Sequence, residues 1–164
     1  MDAKVVWQKG LHFSGTAGSS FEVPLGAEVE AGGAEDGFQP LELMAVSVAG
    51  CTAMDVISIM KKKQQNVTAF EVKVQADQAQ DFPKVFTRSL ITYLVTGHNL
   101  DEQALRRSIE LSATKYCPAQ AMLSKVVPME LRYEIYEGEN EKNRSLVKTG
   151  IYTPIIEKRS FPSG

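Results

Sequence analysis

Cysteine and histidine, the side chains that most often bind metals or act as nucleophiles, are scarce in this chain. Its 164 residues include two cysteines and two histidines, and no Cys-x-x-Cys pair occurs. Because His12 and His98 lie far apart in the sequence, the pattern gives little support for a metal site. Two cysteines are also too few for the dense disulfide framework of a small secreted protein. We therefore expect two reduced thiols, Cys51 and Cys117, and neither a metal nor an organic cofactor.

An excess of positive charge and an apolar run long enough to span a membrane are missing as well. Lysine and arginine number 18 against 20 acidic residues, which gives a formal charge of -2, so nucleic acid is not an expected partner. The segment from Met1 to Trp7 lacks the apolar core of a secretory signal, and we expect a cytoplasmic location. The uncharged run from Leu43 to Met54 is too short to cross about 30 Å of hydrocarbon, which predicts a buried core helix and no membrane partner.

What is present is the pattern of one α+β domain. Short apolar pieces before residue 40 predict strands and turns, whereas residues 26–37 should form a solvated, mobile loop without regular structure. A helix should begin at Pro40 and end near Lys63. It is apolar on nearly every face, which predicts burial in the middle of the molecule or of an oligomer.

The second half of the chain alternates strands with helices. Residues 67–75 and 86–96 alternate polar and apolar side chains with period two, which predicts a hairpin of two strands. Residues 100–113 predict an amphipathic helix, and Pro118 can start another short helix before a last strand at 129–136. Residues 137–164 form a charged extension, in which 147–156 can pair as an added edge strand.

The two cysteines have different local settings. Cys117 precedes Pro118, so the unpaired N–H groups of a helix start, together with Lys115, should favour its thiolate. Cys51 lies among small residues of the long helix, on the same stripe as Asp55, which by itself raises a thiol pKa. A reactive Cys51 thus needs a cation from elsewhere in the fold, and Arg88 is a candidate by elimination.

Structural interpretations exist for each of these residues. Free cysteine is among the most buried residue types, and both cysteines can simply be packing. Glu42, just inside the helix start, either complements the helix dipole or is a buried carboxylate that handles protons.

Three segments carry a further signal: residues 39–44 (QPLELM), 49–56 (AGCTAMDV) and 115–118 (KYCP). Together they resemble one family, the OsmC/Ohr superfamily of osmotically inducible and organic hydroperoxide resistance proteins. The resemblance covers roughly residues 1–136, which we take as an OsmC-like domain, and leaves residues 137–164 outside it.

The resemblance implies a fold of antiparallel strands with a long buried central helix, assembled as an intertwined homodimer. In active members the first cysteine attacks a peroxide and becomes a sulfenic acid, and the second condenses with it to a disulfide that a dithiol reductant reopens. By position Cys51 would be peroxidatic and Cys117 resolving. Folding and dimerisation should then bring the two sulfur atoms together in one apolar cavity.

The chain departs from the family pattern in two places. Peroxidase members carry an arginine in the N-terminal strand region that activates the first thiol, whereas no arginine precedes Arg88 here. Members of the hydroperoxide-reductase branch also have a glutamate directly after the helix-starting proline; here Leu41 takes that place and Glu42 follows. With these two departures, the chain resembles the OsmC-like branch of the superfamily.

Three functions are consistent with these features. The first is a thiol-dependent peroxidase that reduces organic hydroperoxides in oxidative stress defence. The second is a binding protein of the same fold that holds a small apolar ligand at the dimer interface and has lost the chemistry. The third is disulfide exchange on protein partners, which the predicted burial of Cys51 disfavours.

Overall fold

A computed structural model describes residues 1–153 of the chain. The chain forms two compact units, one from Met1 to Val46 and one from Ser47 onwards. The first unit contains a three-stranded antiparallel sheet, made of β1 (Ala3–Lys9), β2 (His12–Ala17) and β3 (Glu22–Leu25). The predicted short strands are therefore confirmed.

The glycine-rich loop after β3 is more ordered than its composition predicts. It contains one turn of 3₁₀ helix, Val29–Ala31, and the N–H of Gly33 donates to the carbonyl of Glu28 at 2.8 Å. A Cβ atom at Gly33 would lie 1.9 Å from the carbonyl oxygen of Ala27, so this close backbone approach requires glycine. The expectation of no regular structure is wrong, because glycine permits a close backbone approach and the loop forms backbone hydrogen bonds within itself.

The long helix α1 spans Pro40–Lys62, as the proline and the terminal lysines predict. At its start the backbone N–H of Gln39 donates to the Glu42 carboxylate at 2.9 Å, so Glu42 caps the helix. Its buried residues recur every fourth position and form a single stripe: Val48, Thr52, Val56 and Met60.

The other apolar residues of α1 are half-buried or exposed in this chain, and Met54 is 68% exposed. Within the single chain, α1 is therefore not buried on nearly every face. Among the described residues, α1 is the one helix long and apolar enough to cross a membrane by length and composition, a test that core helices of globular proteins also pass.

The second unit is built on a four-stranded sheet in the order β4-β5-β6-β7. These strands are β4 (Asn66–Gln78), β5 (Phe86–His98), β6 (Met129–Gly138) and β7 (Arg144–Tyr152). The predicted hairpin of β4 and β5 is antiparallel, as is the pair β6 and β7. The expectation of antiparallel strands fails for β5 and β6 alone, which are parallel because helices connect them across the sheet.

The connection between β5 and β6 contains three helical segments. Helix α2 spans Glu102–Leu111, and its N-terminus is capped by the Asp101 carboxylate, which accepts from the N–H of Gln103 at 2.9 Å. A π-helical segment, Ser112–Tyr116, follows, and then the short helix α3, Pro118–Leu123. Cys117 lies between these last two segments, which is the position predicted from Pro118.

The core of the second unit joins the buried stripe of α1, the inner faces of β5 and β6, and α2. Its fully buried large side chains include Met60, Ile91, Tyr93, Leu105, Ile109, Leu131 and Tyr133. The thiol of Cys117, only 2% exposed, is also buried here.

Strand β7 occupies the edge of the sheet. It covers most of the range predicted for an added strand, and residues 154–156 of that range lie outside the described residues. The domain boundary predicted after Tyr136 falls within β6, which continues to Gly138 before the chain turns into β7. That boundary stays a prediction.

Candidate active site

The fold brings the two cysteines into contact within one chain. The Sγ atoms of Cys51, on α1, and Cys117, at the start of α3, are 2.8 Å apart, and both cysteines are free thiols. The two cysteines are 66 positions apart in the sequence. The expectation that the two sulfur atoms meet is therefore confirmed, whereas their catalytic roles stay a prediction.

Cys117 is a buried thiol, and this overturns the expected thiolate. Its sulfur accepts from the backbone N–H of Gln120 at 3.4 Å, as a helix N-cap does. Burial nevertheless raises the pKa of the Cys117 thiol, and its contact with Cys51 adds to the rise. Lys115 was expected to help, but its ammonium group lies over the ring of Tyr116, 5.2 Å from the centroid. Desolvation outweighs the single N–H of a six-residue helix.

Asp55 completes a cluster of three side chains. It lies one helical turn after Cys51, and the sulfur atoms and a carboxylate oxygen of the cluster all lie within 4.8 Å of one another. Ser112 donates its hydroxyl to Oδ2 of Asp55 at 2.9 Å. The stripe predicted from helical spacing is thus confirmed, and the Asp55 charge contributes to the raised pKa of Cys117.

A chain of buried hydroxyl groups runs beside this cluster. The hydroxyl of Thr52 is 2.7 Å from that of Tyr93 and 2.9 Å from that of Ser112. Gln120 donates its side-chain amide to the Tyr93 oxygen at 3.3 Å. Burial raises the pKa of Tyr93 to about 12, so its phenol is neutral at physiological pH. The surroundings of the thiols are therefore rich in hydrogen bonds, unlike the apolar cavity that was expected.

Arg88 and Glu42, the other two charged candidates, have structural partners. Arg88 donates to the Glu130 carboxylate on the neighbouring strand at 3.1 Å, and its side chain is about half exposed. Because Arg88 pairs with Glu130, this contact does not support the prediction that Arg88 is the cation beside Cys51. Glu42 is the helix cap described above, which favours its structural interpretation.

Cys51 is the more accessible of the two thiols. It is partly exposed, whereas Cys117 is buried. A Cβ atom added to the preceding residue, Gly50, would meet no atom within 4 Å, so the helix surface beside Cys51 is open in this chain. The ligand pocket predicted at the dimer interface stays a prediction.

The chain is similar in sequence and in fold to proteins of one family. Residues 32–132 match the family model described as OsmC-like protein. The chain is 33% identical over 135 residues to Protein YhfA of Escherichia coli strain K12. The aligned residues cover 82% of this chain and 98% of YhfA.

Two solved structures extend this similarity to the fold. A hypothetical protein from Aquifex aeolicus VF5 superposes with a TM-score of 0.74 at 25% identity, over 84% of this chain and 97% of that protein. An organic hydroperoxide resistance protein OsmC from Legionella pneumophila superposes with a TM-score of 0.58, over 82% of this chain and 94% of that protein. At 15% identity, the likeness to the Legionella protein concerns the fold alone.

Proposed function

This chain belongs to the OsmC-like protein family, and from that premise we propose that it is a thiol-dependent peroxidase that reduces organic hydroperoxides. The observation that carries the proposal is the contact of 2.8 Å between the sulfur atoms of Cys51 and Cys117. Two free thiols at this separation can form a disulfide after a small rotation, which is what a two-cysteine peroxidase requires. Because the Legionella protein of the same fold is described as an organic hydroperoxide resistance protein, organic hydroperoxides are the proposed substrate class.

The proposed reaction begins at Cys51, because its sulfur is the accessible one. The Cys51 thiolate attacks the terminal oxygen of the hydroperoxide, an S–O bond forms, and the O–O bond breaks. The alkoxide takes a proton and leaves as an alcohol, and Cys51 is oxidised to a sulfenic acid.

Cys117 resolves this intermediate in the proposed reaction. Its sulfur attacks that of Cys51, an S–S bond forms, and the hydroxyl group leaves as water after the Cys117 proton is transferred to it. A dithiol reductant then reduces the disulfide by exchange and is itself oxidised. Neither a metal nor an organic cofactor takes part in this cycle.

The proposed assembly is a homodimer in the cytoplasm. Met44, Val46 and Met54 leave a large part of α1 apolar and exposed in the single chain. Apolar surface of this kind marks interfaces, and a second copy is the partner that the family resemblance implies. Burial of α1 on its remaining faces would then follow from assembly.

A non-catalytic binding protein of the same fold is the second candidate. It is favoured by the partners of the charged residues, because Arg88 is paired with Glu130 and no arginine precedes it in the chain. Without an activating cation, Cys51 would react slowly, and the protein would hold a small apolar ligand at the dimer interface.

The two candidates separate in a turnover assay. The protein is incubated with cumene hydroperoxide and a dithiol reductant, and hydroperoxide consumption is compared with that of Cys51→Ser and Cys117→Ser. We expect turnover by the unmodified chain, none by Cys51→Ser, and a single slow reaction by Cys117→Ser. Equal, negligible rates for the unmodified chain and Cys51→Ser would remove the peroxidase proposal and leave the binding protein.

A further inference from the structure

The cluster of Cys51, Asp55 and Cys117 is also a set of metal ligands. Two sulfur atoms and one carboxylate oxygen lie within 4.8 Å of one another. Sulfur and carboxylate ligands in this combination suit Zn²⁺ and related thiophilic cations. The sequence pattern missed the set because its members come from different elements and include no histidine.

We propose that the reduced protein binds one thiophilic divalent cation, with Zn²⁺ as the natural candidate, through the side chains of Cys51, Asp55 and Cys117. This site goes beyond the peroxidase reaction, which uses no metal. Each thiol gives its proton to solvent as its bond to the metal forms.

The backbone supports this arrangement. Cys51 and Asp55 lie four residues apart on α1, so the helix holds both on one face. Cys117 is fixed opposite them at the start of α3. The hydroxyl of Ser112 donates to Oδ2 of Asp55 and orients the carboxylate, a role that outer hydrogen bonds commonly play at metal sites.

The sulfur atoms must separate slightly to hold the ion. Two sulfur ligands at about 2.3 Å from a tetrahedral Zn²⁺ lie about 3.8 Å apart, whereas the thiols are 2.8 Å apart here. Rotation of the Cys51 side chain can supply this change, because Cys51 is partly exposed and the space beside Gly50 is open. The same opening leaves a fourth coordination position for water.

Metal binding and disulfide formation exclude each other at this site. An S–S bond between Cys51 and Cys117 uses both sulfur ligands, and the carboxylate that remains is a poor site for a thiophilic ion. Oxidation by diamide, which takes up two electrons and two protons as the disulfide forms, should therefore release the cation. Reduction of the disulfide should restore binding.

The test uses Co²⁺ as a spectroscopic probe on the full chain, which is first reduced with a phosphine and then separated from it under nitrogen by gel filtration, with hydroperoxide omitted. We expect one Co²⁺ per chain with a sulfur-to-cobalt charge-transfer band, which Zn²⁺ displaces. Asp55→Asn should weaken Zn²⁺ binding at least tenfold while keeping an acceptor for Ser112. Asp81→Asn, the same change in an exposed turn, should leave affinity unchanged.

Two results would overturn the proposal. The first is the absence of a charge-transfer band in the reduced chain. The second is an unchanged affinity in Asp55→Asn, with folding verified by circular dichroism, which would mean that the thiols bind metal without the carboxylate. Because no peroxide is present, either result is independent of the turnover assay.

Discussion

Thr52→Val should weaken the chain of buried hydroxyl groups that runs beside the two thiols. Thr52 is fully buried, and its hydroxyl contacts those of Tyr93 and Ser112 at 2.7 and 2.9 Å. Valine keeps the shape of the side chain and removes both hydrogen bonds. Tyr93 then retains its bond from Gln120, and Ser112 retains its bond to Asp55.

The size of the effect follows from these contacts. Each hydrogen bond contributes about 1 kcal/mol net, so the free energy of unfolding should fall by about 2 kcal/mol. For a chain of this length the melting temperature should fall by about 4–8 °C. The measurement is urea unfolding of the reduced protein, followed by circular dichroism at one protein concentration.

The control is Thr92→Val on β5, because within residues 1–153 the Thr92 hydroxyl makes no side-chain hydrogen bond. The free energy of unfolding of this variant should differ little from that of the unmodified chain. A double-mutant cycle with Ser112→Ala should also show that the effects of the Thr52 and Ser112 changes are not additive. A loss below about 0.5 kcal/mol for Thr52→Val, or strict additivity in the cycle, would refute the assignment of this network.

Two further predictions concern the sheet. Gly150→Ala should lower stability by about 1–3 kcal/mol, because a Cβ atom there would lie 2.2 Å from the hydroxyl of Tyr133; unchanged urea unfolding would mean that β7 does not pack on β6 in this way. The hydrogen bond with Glu137, together with the charge of Glu139, raises the pKa of His98 in the folded protein. Protonated His98 therefore stabilises the fold, and this stabilisation is complete below the pKa of the unfolded state, about 6.5. It is lost as the pH rises through the higher pKa of the folded state. His98→Gln should therefore cost more stability at about pH 5.5 than at about pH 9, and an equal cost at both would contradict the assignment.

Much of the fold could be predicted from local patterns. Period-two alternation located β4 and β5, and Pro40 with the terminal lysines located α1. The direction of β6 could not be predicted, because alternation says which face a side chain takes and nothing about the partner strand. The pattern also left open whether α1 is buried within one chain or in an oligomer, since apolar composition does not say whether the same chain covers it.

The candidate site divides in the same way. The cysteines and Asp55 follow from sequence motifs and helical spacing. Thr52, Tyr93 and Ser112 meet only through tertiary packing, and the one available signal was a threonine in the buried stripe of an apolar helix. The expected thiolate at Cys117 failed because the benefit of a helix start is local, whereas burial depends on the whole fold.

The most direct test of the account is a thiol count and mass measurement on the reduced protein after one equivalent of cumene hydroperoxide. The account predicts that both thiols are lost together, that each chain loses two hydrogen atoms, and that peptide mapping finds Cys51 joined to Cys117 in the same chain. Two thiols that remain free after the hydroperoxide is added, or a disulfide found only between chains, would contradict it.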